Sequence, residues 1–400
     1  MSKRLLFLAS GPPSDRHGGG ALRMFHLLRF LGSRFPVDLL FPAQDGAEDV
    51  SALFKDVSVD VIPVPLQGSS VFDRFCRFDP YPKDRAVAAV VRDRVATGAY
   101  AAIHVDTLAM MPYAPPDTAL PVVLDLRAHD STSEVRRLRD GQEAKGRPTH
   151  LIRRLKRSLF DRWCWPMTHC VTVASEEERV RCERAHPGQR VLVVPNGVDC
   201  QRIRPKSDQT MSTPILLFMG HMGVEHNIDA AVCLATEVFP AIRRDFPKAE
   251  LRVVGRNADA RVSRLAGQGI VVTGAVPDRR VHLREATIYV APYLSGLGSH
   301  GHLLEAMAAG LPIITTSQGI EGMKVQAGRD VLVADQPADI IDSIQTLLAS
   351  QSDRERFAQA ARHMAEIWYD WNRCLWPLES LYHPLLGPTR TVSEATAVAC

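Results

Sequence analysis

Ala291-Pro292-Tyr293-Leu294-Ser295-Gly296-Leu297-Gly298-Ser299-His300-Gly301-His302-Leu303-Leu304-Glu305-Ala306-Met307-Ala308-Ala309-Gly310-Leu311-Pro312 is the most specific stretch of the chain. It predicts a strand, a glycine-rich turn, a helix starting near Ser299, and a Gly-Pro stop that leads into the next strand. Strand, helix and strand in that order make a parallel crossover unit, which places the protein in the α/β class. Backbone amides at such a helix start point outward with partial positive charge and suit a phosphate. Glu305, deeper in the helix, can accept hydrogen bonds from a ribose diol. A tight connection without any ligand is the plainer reading of the same turn.

The same alternation runs through the rest of the chain. Apolar runs rich in Val, Ile and Leu occur at 4–10, 37–43, 59–65, 101–107, 121–126, 170–175 and 191–195. A second series falls at 215–220, 251–255, 269–274, 287–292, 312–316 and 331–335. Each is followed by helical spacing, so two parallel sheets of six or seven strands are expected, covered by helices. Between the series lie Pro195-Asn196-Gly197-Val198-Asp199 and the polar Pro205-Lys206-Ser207-Asp208-Gln209. Turn residues and polarity mark this as the linker between domains 1–205 and 206–367. No repeat of fixed period is visible, which argues against a solenoid.

Composition narrows the function classes. The 400 residues carry 48 basic and 45 acidic side chains, a net charge of +3, with 46% hydrophobic residues. That balance gives no mandate for binding nucleic acid. The start, Met1-Ser2-Lys3-Arg4 before Leu5-Leu6-Phe7-Leu8-Ala9, imitates a signal peptide, but the run is short and Pro12-Pro13 follows without a cleavage signal, so a buried first strand is expected. No apolar run reaches membrane-spanning length. The eight cysteines include no CxxC pair, which argues against a zinc site or disulfide scaffold and for reduced thiols in a cytoplasmic protein.

Three further segments bear on function. His17-Gly18-Gly19-Gly20 follows the first strand and opens a helix, so the backbone there can approach a phosphate or an acceptor; a flexible turn is the alternative. It is not a GxGxxG fingerprint, which disfavours a nicotinamide dehydrogenase. Asp125-Leu126-Arg127-Ala128-His129-Asp130 ends a strand, and such ends line the crevice of open α/β sheets. Residues 150–165 read as an amphipathic basic helix, either a solvated face or one drawn to an anionic membrane surface.

Pro-Tyr-x-Ser-Gly-x-Gly-x-x-x-x-Leu-Leu-Glu-Ala-Met-Ala-Ala-Gly-Leu-Pro-Ile-Ile resembles the donor-binding signature of retaining GT-B glycosyltransferases, the group called family four or group one. Val194-Pro195-Asn196-Gly197-Val198-Asp199, Gly255-Arg256-Asn257, Val272-Thr273-Gly274-Ala275-Val276-Pro277-Asp278 and Gly319-Ile320-Glu321-Gly322 follow the same pattern in order. Asn227-Ile228-Asp229-Ala230-Ala231 and Glu237-Val238-Phe239-Pro240 are similar to a bacterial sugar-transferase subgroup. The resemblance implies two Rossmann-like domains facing a central cleft, the second holding a nucleoside diphosphate sugar as co-substrate. It also implies that the segment 368–384 packs back on the first domain, leaving 385–400 as a tail.

The resemblance assigns Glu305 to the nucleotide ribose, Val276, Pro277 and Asp278 to the nucleobase, Gly298 and Ser299 to the diphosphate, and Glu321 to the place where sugar and ribose meet. It assigns His129 to the transferring sugar and the loop His17, Gly18, Gly19 and Gly20 to phosphate or acceptor. Relatives grip the diphosphate with Arg and Lys. This chain has His221 after the first strand of the second domain, and His300 and His302 in the glycine turn. A histidine is only partly charged near neutral pH, so a weaker, pH-dependent grip or another donor is implied. Leu297 stands where the earlier glutamate of a Glu-x7-Glu pattern falls.

The implied reaction transfers a sugar to an acceptor hydroxyl with retention, in polysaccharide, glycolipid or natural-product glycosylation, at the cytoplasmic side. No Asp-x-Asp motif marks a metal site beside the phosphate elements, and no cofactor beyond the donor is expected. A non-catalytic or divergent nucleotide-sugar-binding protein, or a sugar-nucleotide epimerase of the same architecture, is the alternative.

Overall fold

A computed structural model describes residues 3–15, 19–43, 49–66, 83–126, 160, 162–206, 213–293 and 301–387. The chain forms two compact units, one of residues Met1–Pro195 and Leu375–Cys400 and the other of Asn196–Cys374.

The first unit is built on a seven-stranded sheet in the order β3-β2-β1-β4-β5-β6-β7, all parallel. Its strands are β1 (Arg4–Leu8), β2 (Val37–Ala43), β3 (Val59–Pro65), β4 (Tyr100–Asp106), β5 (Val122–Asp125), β6 (Cys170–Val173) and β7 (Val191–Val193). Each coincides with one of the apolar runs of the first half. The apolar N-terminal run is the inner strand β1, paired with β2 on one side and β4 on the other. Leu5, Leu6, Phe7 and Leu8 are all fully buried. A strand covered on both faces has no polar side to alternate with, which explains the unbroken apolar run.

The helices α1 (Gly20–Gly32), α2 (Arg85–Ala96) and α3 (Glu176–Ala185) belong to this unit. Asp84 caps α2 by accepting from the amides of Ala86 and Val87. At α3 the Ser175 hydroxyl accepts from the Glu178 amide at 3.2 Å while Glu178 accepts from the Ala174 amide at 2.8 Å. This reciprocal arrangement satisfies orphan helix-start donors.

The last helix, Trp376–Leu386, also belongs to the first unit. Tyr382 reaches His104 of β4 through a 2.7 Å hydrogen bond between its hydroxyl and Nδ1, and Glu379 pairs with Arg34 at 2.8 Å. The helix runs through 385–386, and residues 388–400 of the expected tail lie outside the described residues.

The second unit holds a six-stranded parallel sheet in the order β10-β9-β8-β11-β12-β13. Its strands are β8 (Ile215–Met219), β9 (Glu250–Val254), β10 (Ile270–Val272), β11 (Ile288–Ala291), β12 (Ile313–Thr315) and β13 (Leu332–Val333). They match the second series of runs. The helices that frame the site are α4 (Glu225–Cys233), α5 (Arg279–Glu285) and α6 (Gly301–Ala308).

The stretch after Pro195 is built into this unit: the Val198 amide donates to the Tyr369 carbonyl at 2.7 Å, and a Cβ on Gly197 would lie 2.6 Å from the Trp371 ring. The contact division at Pro195 and the sequence boundary at 205 differ by this stretch. Cys170, Cys182, Cys200 and Cys233 are free, and they, Cys164 and Cys374 are all buried. Among the described residues no helix is long and apolar enough to cross a membrane.

Candidate functional site

In each sheet the strand order reverses beside the unit's first strand, between β1 and β4 and between β8 and β11. Ligands of open parallel sheets bind beyond the carboxyl ends of the strands at such a reversal. In the second unit five of the motifs singled out from the sequence emerge there. Gly220-His221 leaves β8, Gly255-Arg256-Asn257 leaves β9, and Val276-Pro277-Asp278 follows β10. Pro292-Tyr293 leaves β11, and Gly319-Ile320-Glu321 follows β12. Two glycines set the spacing of the first pair of loops. A Cβ on Gly255 would sit 1.7 Å from the Gly220 carbonyl oxygen, and one on Gly220 would sit 2.8 Å from Asn227 Cγ of α4.

Of the stretch that follows β11, Pro292, Tyr293 and the residues from Gly301 onward are described. Tyr293 is buried, and its carbonyl accepts from the Thr316 hydroxyl at 2.7 Å. Helix α6 begins at Gly301 and is followed by Gly310 at φ +64, a left-handed stop that glycine adopts without penalty. Leu303, Leu304, Ala306, Met307 and Ala308 of α6 are buried in the unit's core. Arg362, from the helix Gln351–Met364, donates to the Ala308 carbonyl and to Ile203 at 2.7 Å and Cys200 at 2.9 Å, tying the end of α6 to the stretch before β8.

Glu305 is 9% exposed, and its two oxygens have different partners. Arg279, the first residue of α5, places Nη2 2.9 Å from Oε1. His302 places Nδ1 3.3 Å from Oε2. Burial opposes the charged form of Glu305, but the His302 hydrogen bond and the charges of His302 and Arg279 outweigh it and hold the carboxyl below the usual glutamate range. A carboxylate only accepts, so His302 donates from Nδ1. Its Nε2 can then donate to an anion only in the imidazolium form. Arg279 escaped the sequence reading, because no spacing rule links position 279 to position 305.

Asp278 caps α5, accepting from the Arg280 amide at 2.9 Å, and Arg280 closes its fork on the same carboxylate with two contacts of 2.8 Å. That pairing holds Asp278 below the usual aspartate range. Val276 packs partly buried against the core, and Pro277 continues the loop between them. His221 Nε2 accepts from Asn257 Nδ2 at 3.0 Å, which puts the proton on Nδ1. Nδ1 is buried without a partner among the described residues. Burial, and then the charge of Arg256, pull His221 below its usual value. Glu321 ends the turn Gln318–Ile320, its amide 3.4 Å from the Gln318 carbonyl. Gly298, Ser299 and His300 lie outside the described residues.

Residues 213–350, the heart of this unit, match the family model described as Glycosyl transferases group 1. That segment, 138 of the 400 residues, is similar to the group 1 glycosyltransferases. Among curated proteins similar to this chain, a phosphatidyl-myo-inositol mannosyltransferase from Mycobacterium leprae is 26% identical over 196 residues, covering 46% of the chain and 51% of the relative. Spore coat protein SA from Bacillus subtilis is 36% identical over 81 residues, 20% of the chain and 22% of that protein. The chain thus spans about half the length, or less, of these two relatives.

Solved structures share the GT-B fold across nearly the whole chain. Sucrose-phosphate synthase from Thermosynechococcus elongatus has a TM-score of 0.70 at 16% identity, covering 96% of this chain and 99% of that one. HepE from Anabaena, solved with UDP and glucose, has a TM-score of 0.68 at 14% identity, covering 96% of this chain and 100% of that one.

The first unit carries its own polar group at the carboxyl edge of its sheet. Asp125, the last residue of β5, is fully buried and takes the fork of Arg23 from α1 at 2.9 and 3.1 Å, with the Thr172 hydroxyl of β6 at 2.5 Å. Burial alone would raise Asp125; the Arg23 charge and hydrogen bonds override it and hold it at about 2. Arg23 also donates to the Pro195 carbonyl at 3.1 Å. Past β1 and β4, the Ser10 hydroxyl donates to Asp106 at 2.8 Å, and Thr107 holds φ +74, a strained value for a β-branched residue.

Gly19 is at φ +77 and precedes Gly20, the first residue of α1. Among the described residues no side chain caps this helix start. His17, Gly18, His129 and residues 150–159 and 161 of the basic segment lie outside the described residues. Neither Arg23 nor Asp106 was singled out from the sequence; a lone Arg in an amphipathic helix carries no signal of its partner.

Proposed function

We propose that this protein transfers a sugar from a nucleoside diphosphate sugar to an acceptor hydroxyl with retention of anomeric configuration. The observation that carries the reading is Glu305. It is a buried, ionised carboxylate beyond the strand-order reversal of the domain that matches the family, in the helix that follows a glycine-rich turn. It would take the ribose hydroxyls, with Val276, Pro277 and Asp278 against the base and Glu321 near the sugar. The α6 amides, with Gly298, Ser299, His300, His302 and His221, would meet the diphosphate. Charge grows on the leaving diphosphate in such a transfer, and donors aimed there lower the barrier.

His129 would contact the sugar, Gly18 to Gly20 would meet phosphate or acceptor, and a leaving phosphate oxygen would take the acceptor proton in same-face attack. The HepE structure, solved with UDP and glucose, is in keeping with a donor of this class. Acceptors in polysaccharide, glycolipid or natural-product glycosylation fit the reading equally.

A thermal-shift panel of UDP, GDP, ADP and dTDP with their sugars tests it. At least one is expected to raise Tm, and Glu305→Gln is expected to weaken that ligand about 10- to 100-fold, the weight of hydrogen bonds to a charged acceptor. With the stabilising donor sugar and a hydroxyl acceptor panel, the product is expected to keep the donor's anomeric configuration by NMR. No stabilisation by any nucleotide, or an unchanged affinity in Glu305→Gln, overturns the reading.

A further inference from the structure

Arg279 stands at a junction. It begins α5 directly after the Val276-Pro277-Asp278 loop, yet its guanidinium lies on Glu305 of α6, 2.9 Å from Oε1. Its neighbour Arg280 is committed elsewhere, its fork closed on Asp278. His302 approaches Glu305 from its own helix and takes the other oxygen, Oε2. An ionised carboxylate offers about four lone-pair directions, two on each oxygen. Among the described residues one on each oxygen is used, which leaves one on each oxygen.

Two free acceptor sites on adjacent oxygens match the two adjacent hydroxyls of a ribose. The last torsion of a glutamate is broad and roughly two-fold, so a single partner leaves the carboxylate plane free to turn. Partners on both oxygens, from two different helices, fix that plane before any ligand arrives and lower the ordering cost of binding.

We infer that Arg279 is a positioning residue that, with His302, presents the Glu305 carboxylate to a cis-diol and so makes the site select ribonucleoside diphosphates over their 2′-deoxy counterparts. This rests on the donor-site reading above. A purely structural ion pair would give stability without that selectivity, and a direct contact of Arg279 with base or phosphate would strengthen both nucleotides alike.

The test is calorimetric titration of the wild type, Arg279→Gln and Arg279→Lys with the tightest binder among UDP, GDP and ADP, and with its 2′-deoxy counterpart. The wild type is expected to prefer the ribonucleotide by about tenfold, the weight of one hydrogen bond to a charged acceptor. Arg279→Gln is expected to lose about threefold or more of that preference with the deoxynucleotide affinity unchanged, and Arg279→Lys to fall between. In a Glu305→Gln background the Arg279→Gln change is expected to have no further effect on the ratio.

If Arg279→Gln does not fold, the ratio in Arg279→Lys decides. An unchanged ratio in the variants, an equal loss for both nucleotides, or no preference in the wild type overturns the inference while leaving the donor site standing. A wild type that binds dTDP alone overturns the inference, and one that binds neither dTDP nor any of the three overturns the donor-site reading itself.

Discussion

Glu305 and Asp125 solve one problem in the same way. Each is a carboxylate buried near the carboxyl edge of its unit's sheet, and each is answered by an arginine from a helix elsewhere in the sequence, Arg279 and Arg23. A buried charge without its partner is costly, so these arginines are as much a part of the edge as the acids. Glycine matters at the same edge for want of room. In Gly255→Ala the new Cβ would meet the Gly220 carbonyl, a backbone atom that no rotamer change can move. A loss of about 3 kcal/mol is expected, read as a lower denaturant midpoint at unchanged slope. Gly301→Ala, whose Cβ would meet nothing within 4 Å among the described residues, is expected to leave the midpoint nearly unmoved. Equal behaviour of the two variants would show that the Gly255 contact is not what fixes these loops.

At the scale of elements the sequence was nearly transparent for strands. All thirteen apolar runs became strands, because a parallel sheet covered on both faces turns burial directly into an unbroken apolar run. The helix after β11 and its left-handed stop at Gly310 were equally legible. Partners joined by tertiary structure were not: Arg279 with Glu305, Arg23 with Asp125, and Tyr382 of the last helix with His104 join positions that no local period relates.

The Tyr382 contact carries a pH dependence. His104 is fully buried between Phe7, stacked 4.4 Å away, and Tyr382, and burial pulls it down from 6.5 to about 4. The unfolded chain therefore binds the proton more readily than the folded one between these values. The stability that depends on neutral His104 is fully present above about pH 6.5 and is lost as pH falls toward 4, up to about 3 kcal/mol. Asp125, lowered from 3.8 to about 2, adds a further loss only below that window. Denaturant midpoints of the wild type are expected to fall from pH 7 to pH 4.5, and His104→Leu to flatten that slope. A slope unaltered in His104→Leu would place the acid sensitivity in another group.

Across the whole molecule the two units repeat one plan. The six strands of the second sheet follow the same order, outward from its first strand, as the first six strands of the first sheet. Each unit has a core of its own, around Leu6, Ile103, Leu124 and Val171 in one and Leu216, Phe218, Ile288 and Ile314 in the other. The described residues proposed to hold the ribose and the base all lie in the second unit, between Asn196 and Cys374. A ligand that binds one folded unit stabilises that unit alone when the cores melt independently. Differential scanning calorimetry is therefore expected to resolve two transitions. The tightest nucleoside diphosphate at about 100 times its Kd would add about 2.7 kcal/mol to one of them, a rise of roughly 5–10 °C for a unit of this size. Glu305→Gln is expected to keep both transitions and to lose the nucleotide's shift. A single transition that moves as a whole on adding nucleotide would show that the two cores unfold as one, and a shift that survives Glu305→Gln would place the nucleotide elsewhere.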